Sequence, residues 1–400
     1  MVLSERTRGA VVFASSYTAL GIIRSLGRKG IPVWILDDGR SPARYSRYVQ
    51  RSFPLNKEDE AGQISLLIEI AQKNNLRGWT LFPDGDKGAS IIAKNYDRLS
   101  EYYQLTTPKW DILQWAVDKY YTYQLAAEIG ADYPKAFYPK NRSDVEILDG
   151  KFPMILKPVH HQGSDAFSNG RAWQAKDRAE LLSLYDEMCR LAADPSVIMI
   201  QEMIAAEPGT QVSYAALCKD GTVLADIFAE RVRLTPPEFG VSAYVESIER
   251  PELEAPSRRF LEKIKYTGIV EIEFMLDRRD GLYKMLDVNT RAWGWIAMCG
   301  YAGVDFPYLM WKVSQDEEVS PVRGRPGVGW SRTFFDIGAA LQTVWMGRPF
   351  STGKFISSLL RANHEMYVWD DLKPAFMELF TFSARVFRKL RKIISGKSKK

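Results

Sequence analysis

The run IVEIEFMLDRRDGLYKMLDVNTR, residues 269–291, constrains this chain more than any other stretch. Apolar residues alternate with Glu271 and Glu273 early in the run, and Asp287, Asn289 and Arg291 stand two apart at its end. Alternation has the period of a β-strand, so each polar set projects from one face. Turn residues around Asp280-Gly281 fold the run back on itself as an antiparallel hairpin, which lets Glu273 face Asp287 across the ladder. Two carboxylates and an amide oxygen beside Arg291 repel one another unless a cation lies between them. Mg²⁺ meets that description: it takes oxygen ligands, prefers octahedral geometry and shares carboxylates with substrate phosphates. A solvated face with cross-strand ion pairs has the same pattern, and the hairpin alone does not separate the two.

Composition narrows the field. The chain has 400 residues, enough for two to three domains, and is 46% hydrophobic and 26% charged, as globular proteins are. No apolar run approaches the ~20 residues that span a bilayer, and the N-terminus MVLSERTRGAVVF lacks a signal-peptide pattern, so a cytoplasmic protein is expected. Cys189, Cys218 and Cys299 form no CxxC pair, which disfavours a disulfide framework or a thiolate zinc site. The net charge of +5 is concentrated: residues 385–400 carry eight Lys or Arg and no acid, leaving −3 for the rest. The globular part therefore has no nucleic-acid footprint.

The N-terminal stretch reads as alternating α/β. GAVVFA and IPVWILDD are short strands, SSYTALGIIRSLGRKG is a helix capped by Ser15 or Ser16 and stopped by Gly30, and AGQISLLIEIAQKNN is an amphipathic helix before the strand GWTLFPDGD. Strand and helix in alternation with short connections predict a parallel sheet. No GxGxxG follows the first strand, so that dinucleotide fingerprint is missing. From about residue 110 come a long helix, WDILQWAVDKYYTYQLAAEIG, the strand FPMILKPV, a helix over AKDRAELLSLYDEMCRLAA, the strand VIMIQEMI, and two long hairpins. From about 325 the chain turns helical and aromatic.

Other residues bear on the same chemistry. Lys157 closes an apolar strand and must find an anion or reach water. Lys119 lies at a helix start, where phosphate is also welcome. The strand IQEMI, residues 200–204, leads into the acidic AAEPG, and such an edge can bond a purine rim through its backbone.

The order of these features resembles the ATP-grasp superfamily over roughly residues 1–310: a lysine near a helix, a strand-terminal Lys-Pro, a strand with Gln-Glu, then Glu…Asp-x-Asn-x-Arg. Within it the chain looks most like the carboxylate–amine ligases related to D-aspartate ligase. The resemblance implies a parallel-sheet pre-ATP-grasp α/β domain over 1–112. It also implies an α+β ATP-grasp domain over 113–325, split into a nucleotide-covering part (113–202) and a metal- and substrate-binding part (203–325), with a helical extension over 326–400. It implies that Lys119 and Lys157 contact nucleotide phosphates, that Gln201, Glu202, Met203 and Ile204 form the adenine hinge, and that Glu207 meets the ribose. Glu273, Asp287 and Asn289 would hold Mg²⁺ (or Mn²⁺), Arg291 would steady the transferred phosphoryl group, and Ser164, with His160 or His161, would reach the γ-phosphate of ATP. The implied activity is an amide-forming ligation of a small carboxylate and an amine through an acyl phosphate. Its rivals are carboxylation, plain phosphoryl transfer, or an ATP-binding scaffold without turnover.

Two departures stand out. Asp287 is one methylene shorter than the usual glutamate, and the loop VHHQGSDAFSNG is poor in glycine. Of Arg231 and Arg233 on the first hairpin, Arg233 is the preferred clamp for the substrate carboxylate. The segments SSYTA and FPDGDKG end strands of the first domain, where open α/β sheets bind ligands. Finally, ELFTFSARVFRKLRKII sets apolar residues at helical spacing against a basic face, which admits peripheral contact with the inner face of a membrane. A homodimer is also compatible with the sequence.

Overall fold

The computed structural model describes residues 8–14, 16–39, 41–56, 59–159, 172–192, 194–205, 207, 209–236 and 240–379. The N-terminal region is a five-stranded sheet in the order Val49–Pro54, Val33–Asp37, Ala10–Phe13, Trp79–Phe82, Tyr103–Leu105, parallel throughout. The central strands are buried on both faces, which is why they read as continuous apolar runs. The helix Ala19–Arg28 has Thr18 at its N-cap rather than a serine, and the Ser16 hydroxyl instead accepts from the Thr18 amide at 3.1 Å. Gly30 ends the helix with φ +76°.

A four-stranded antiparallel sheet follows, in the order Ala136–Phe137, Ile198–Glu202, Met154–Pro158, Trp173–Ala175, backed by the helix Arg178–Leu191. The long helix expected before it is broken. Asp118 is extended (φ −100°, ψ 116°), and its carboxylate caps a second helix, Lys119–Glu128, through the Tyr120 amide. The break makes Lys119 the first residue of a helix.

The third sheet runs Leu282–Asn289, Gly268–Asp277, Gln211–Lys219, Thr222–Thr235, Val241–Ile248, Gly329–Ser331, Asn363–His364. Its period-2 pattern sorts side chains between two cores. Val212, Tyr214 and Ala216 pack under the helix Glu254–Lys263 in one core. Ala215 and Leu217 face the helix Ala19–Arg28 with Trp293 and Trp295 in the other. That second core joins the parallel sheet to the large sheet, so the C-terminal ends of the parallel strands lie beside the hairpin. The C-terminal region is helical as expected, over Thr333–Trp345 and Thr352–Arg361, and it also contributes the last two strands of the large sheet.

Candidate active site

The hairpin pairs Glu273 with Asp287 and Glu271 with Asn289, as its alternation requires. Val270, Ile272 and Phe274 point into the core beneath, so Glu271 and Glu273 share the opposite face. The register then shifts between Glu273 and Phe274, and Leu286 is left as the extra residue of a β-bulge. Leu286 and Asp287, though consecutive, both border one cleft.

That cleft, about 320 Å³, lies between the four-stranded sheet and the hairpin. Lys119, Lys157, Gln201, Glu202, Met203, Ile204, Glu273 and Asp287 line it together, with Ile155, Met275 and Leu286 supplying apolar walls. Side-chain partners are specific. Lys119 Nζ lies 2.9 Å from Asp287 Oδ1. Arg231 bridges Glu271 Oε1 (2.9 Å) and Glu273. Asn289 Nδ2 donates to Glu273 Oε1 (2.7 Å) and Glu271 Oε2 (3.1 Å), and its Oδ1 accepts from Arg291 Nη2 at 3.0 Å. Arg291 Nε also pairs with Asp86 of the N-terminal domain at 3.1 Å. Trp295 Nε1 donates to Glu271 at 3.0 Å, so that buried carboxylate is fully engaged.

Glu271, Glu273 and Asp287 thus sit among the cations Lys119, Arg231 and Arg291. Burial pushes the Glu273 carboxyl up from the ordinary range, with Arg231 opposing the shift. Burial, reinforced by the like charge of Lys119, lowers Lys157 to about 7, although Asp287 and Glu273 pull the other way. Deeper in the cleft, Gln201 is 1% exposed and its Nε2 donates to Tyr123 Oη at 3.1 Å, while its Oε1 accepts no hydrogen bond among the described residues. A buried acceptor left open this way is a place for a ligand donor.

The remaining expected residues are engaged by other partners or lie outside the described residues. Glu202 borders the cleft, but its carboxylate is engaged by the Lys135 amide (2.9 Å) and Arg279 (3.2 Å). Glu207 pairs with Arg278 at 2.6 Å, on the surface beyond the cleft lining. Arg233 is drawn away from the cleft: its fork grips the fully buried Asp336 at 2.5 and 2.9 Å and its plane stacks on Tyr244. Strand alternation predicts that Arg231 and Arg233 share a face, but register shifts between them give them different partners. Arg231, which lines the cleft, is the arginine of the pair that meets the carboxylates. Ser164, His160 and His161 lie outside the described residues. Among the described residues no group of three or more His, Cys, Asp or Glu is placed to hold a metal; Arg231 pairs with Glu273 and Lys119 with Asp287.

The hairpin lies within a stretch of the chain that matches an ATP-grasp family, and the fold is similar to those of several solved enzymes. Residues 197–330 match the family described as ATP-grasp in the biosynthetic pathway with Ter operon. The chain is 23% identical over 268 residues to the D-aspartate ligase of Enterococcus faecium (strain Aus0004), a match covering 64% of this chain and 63% of that protein's length. Among solved structures it resembles the L-amino acid ligase from Bacillus licheniformis (TM-score 0.60, 16% identity, 79% of this chain and 76% of that one). It also resembles the ADP complex of N5-carboxyaminoimidazole synthetase from Staphylococcus aureus (TM-score 0.62, 14% identity, 82% of each chain).

Proposed function

We propose that this protein is an ATP- and Mg²⁺-dependent ligase that joins a carboxylate to an amine through an acyl phosphate. The observation that carries the reading is the convergence of Lys119, Lys157, Glu273 and Asp287 in one cleft with an apolar recess. The adenine ring fits between Ile155, Met203, Met275 and Leu286, with its amino group donating to the open Gln201 Oε1. The triphosphate restores the charge of Lys157 and draws Lys119 from Asp287. Glu273, Asp287 and Asn289 would hold the metal: each carries a hard oxygen, that of Asn289 now turned to Arg291 with its Nδ2 toward Glu273, and the cations beside them mark a site built for positive charge. Bound there, Mg²⁺ would neutralise charge on the phosphoryl oxygens.

The substrate carboxylate oxygen attacks the γ-phosphorus in line, and the bond to the bridging oxygen breaks with its electron pair leaving on ADP. The amine nitrogen then attacks the acyl carbon, phosphate departs, and the amine loses its proton. Arg291, held between Asn289 and Asp86, would steady the transferred group. The similarity to amino-acid ligases supports an amino acid or related acid as one substrate. The reading also divides the chain at about residues 112, 202 and 325; the three sheets support the first two divisions, and two strands of the last segment join the third sheet.

The test is ADP release from the full chain with carboxylates and amines offered singly and in pairs. Release that needs both partners, and is lost in Asp287→Ala, supports ligation. Release driven by bicarbonate or by a carboxylate alone would mean carboxylation or simple phosphoryl transfer. ATP–Mg²⁺ binding indifferent to Asp287→Ala, with no turnover in any mixture, would leave only a scaffold.

A further inference from the structure

The apolar surface of this molecule is unevenly placed. Eleven of the eighteen exposed large apolar side chains among the described residues fall between 337 and 379. The helix Thr333–Trp345 buries Asp336, Ala339 and Ala340 and exposes Ile337, Leu341, Val344 and Trp345, an i, i+4, i+7, i+8 stripe that ordinarily faces a core. The helix Thr352–Arg361 does the same, burying Ser358 and exposing Ile356 and Leu360. Both are pinned by their polar sides to one group, since Arg233 binds Asp336 and Ser358. Trp345 and Trp369 are 87% and 92% exposed.

Acids and cations are equal in number over residues 337–379, four of each, but they are not equally free. The acids are all engaged: Glu365 with Trp330, Asp370 with Arg28, Asp371 with Arg24 and Glu378 with Arg332. Lys354, Arg361 and Lys373 face solvent, and the eight cations of residues 385–400 follow in the same chain. A second copy would bring the solvent-facing cations of two rims together. An anionic surface that also dissolves indole and leucine side chains relieves both demands.

We propose that the exposed face of residues 337–379 docks on a membrane surface rich in anionic phospholipid. Trp345 and Trp369 enter at headgroup level, and Lys354, Arg361 and Lys373 lie over the lipid phosphates. The inference is independent of the ligase reading, because none of these residues lines the cleft. The face is a peripheral dock: no described helix is long and apolar enough to cross a membrane.

The experiment is flotation of the full chain with vesicles of phosphatidylcholine alone and of phosphatidylcholine mixed with phosphatidylglycerol. Binding to the mixture only, weakened by salt, is expected. Trp345→Ser with Trp369→Ser should weaken it about a hundredfold, from the apolar area of two aromatic side chains. The triple change Lys354→Glu, Arg361→Glu, Lys373→Glu should weaken it at least as much. Both variants alter exposed residues, and unchanged circular dichroism and ATP binding check that they fold. No vesicle binding, binding undiminished in both variants, or lipid-free self-association that the tryptophan changes abolish would each overturn the proposal.

Discussion

Lys119 and Asp287, 168 positions apart in the chain, meet at 2.9 Å in the cleft, with the lysine almost fully buried. The contact joins a helix N-terminus to the hairpin of Glu273 and Asp287 and ties the two charges together. Asp287→Asn should reduce turnover by about a hundredfold or more, on the scale of losing one preorganised electrostatic partner. It should also cost about 1–3 kcal/mol of stability by leaving a buried ammonium poorly paired. Steady-state ADP release and urea unfolding measure the two effects, and an asparagine variant with normal turnover would remove Asp287 from the machinery.

Lys157 titrates near 7 in the free protein, well below an ordinary lysine, because burial and Lys119 disfavour its charge. Above that pH the free side chain is largely neutral, whereas a bound triphosphate favours the ammonium. Nucleotide binding should therefore take up a proton, and affinity should fall as pH rises from about 7 towards 10.5. For folding the sign is reversed. The unfolded chain keeps this proton to a higher pH than the folded one, so this group's contribution to stability rises across the same window. Calorimetry in buffers of different ionisation enthalpy reads the uptake, which Lys157→Met should abolish.

Gln201 presents an open acceptor in a buried position. If that oxygen receives the adenine amino group, ATP should bind about tenfold tighter than the purine riboside triphosphate lacking the amine. Gln201→Met should erase the difference while leaving thermal stability near wild type. Equal affinities in the wild-type protein would place the base in another orientation.

Arg233 and Asp336 form a buried pair tying the large sheet to the C-terminal helices. Arg233→Ala should destabilise the protein by about 3–5 kcal/mol, the cost of stranding one partner of such a pair. The KM for the carboxylate substrate should be unchanged. The opposite result, normal stability with a raised KM, would restore Arg233 as a substrate clamp.

Parts of this architecture were legible because their signal is local. The hairpin's alternation put Glu273 opposite Asp287, and apolar runs between turn residues marked the central strands. The edge strand Val49–Pro54 was not visible, since an exposed edge carries Gln50, Arg51 and Ser52 in place of a repeating pattern. Asp118 could have been read as a cap, but the apolar period runs through it and conceals the break. For Arg231 and Arg233 the register shifts erased the parity argument, and nothing in the local sequence announces such irregularities.

By itself, then, the sequence determined which residues can carry charge or oxygen ligands, and which strand face each occupies, because backbone geometry converts spacing into direction. The tertiary structure decided which charges meet. Lys119 reaches Asp287, Arg231 reaches Glu273, and Arg233 is drawn to Asp336 only because separate sheets and helices pack against one another. Coulomb attraction and desolvation act over a few ångströms of space, whatever the separation along the chain.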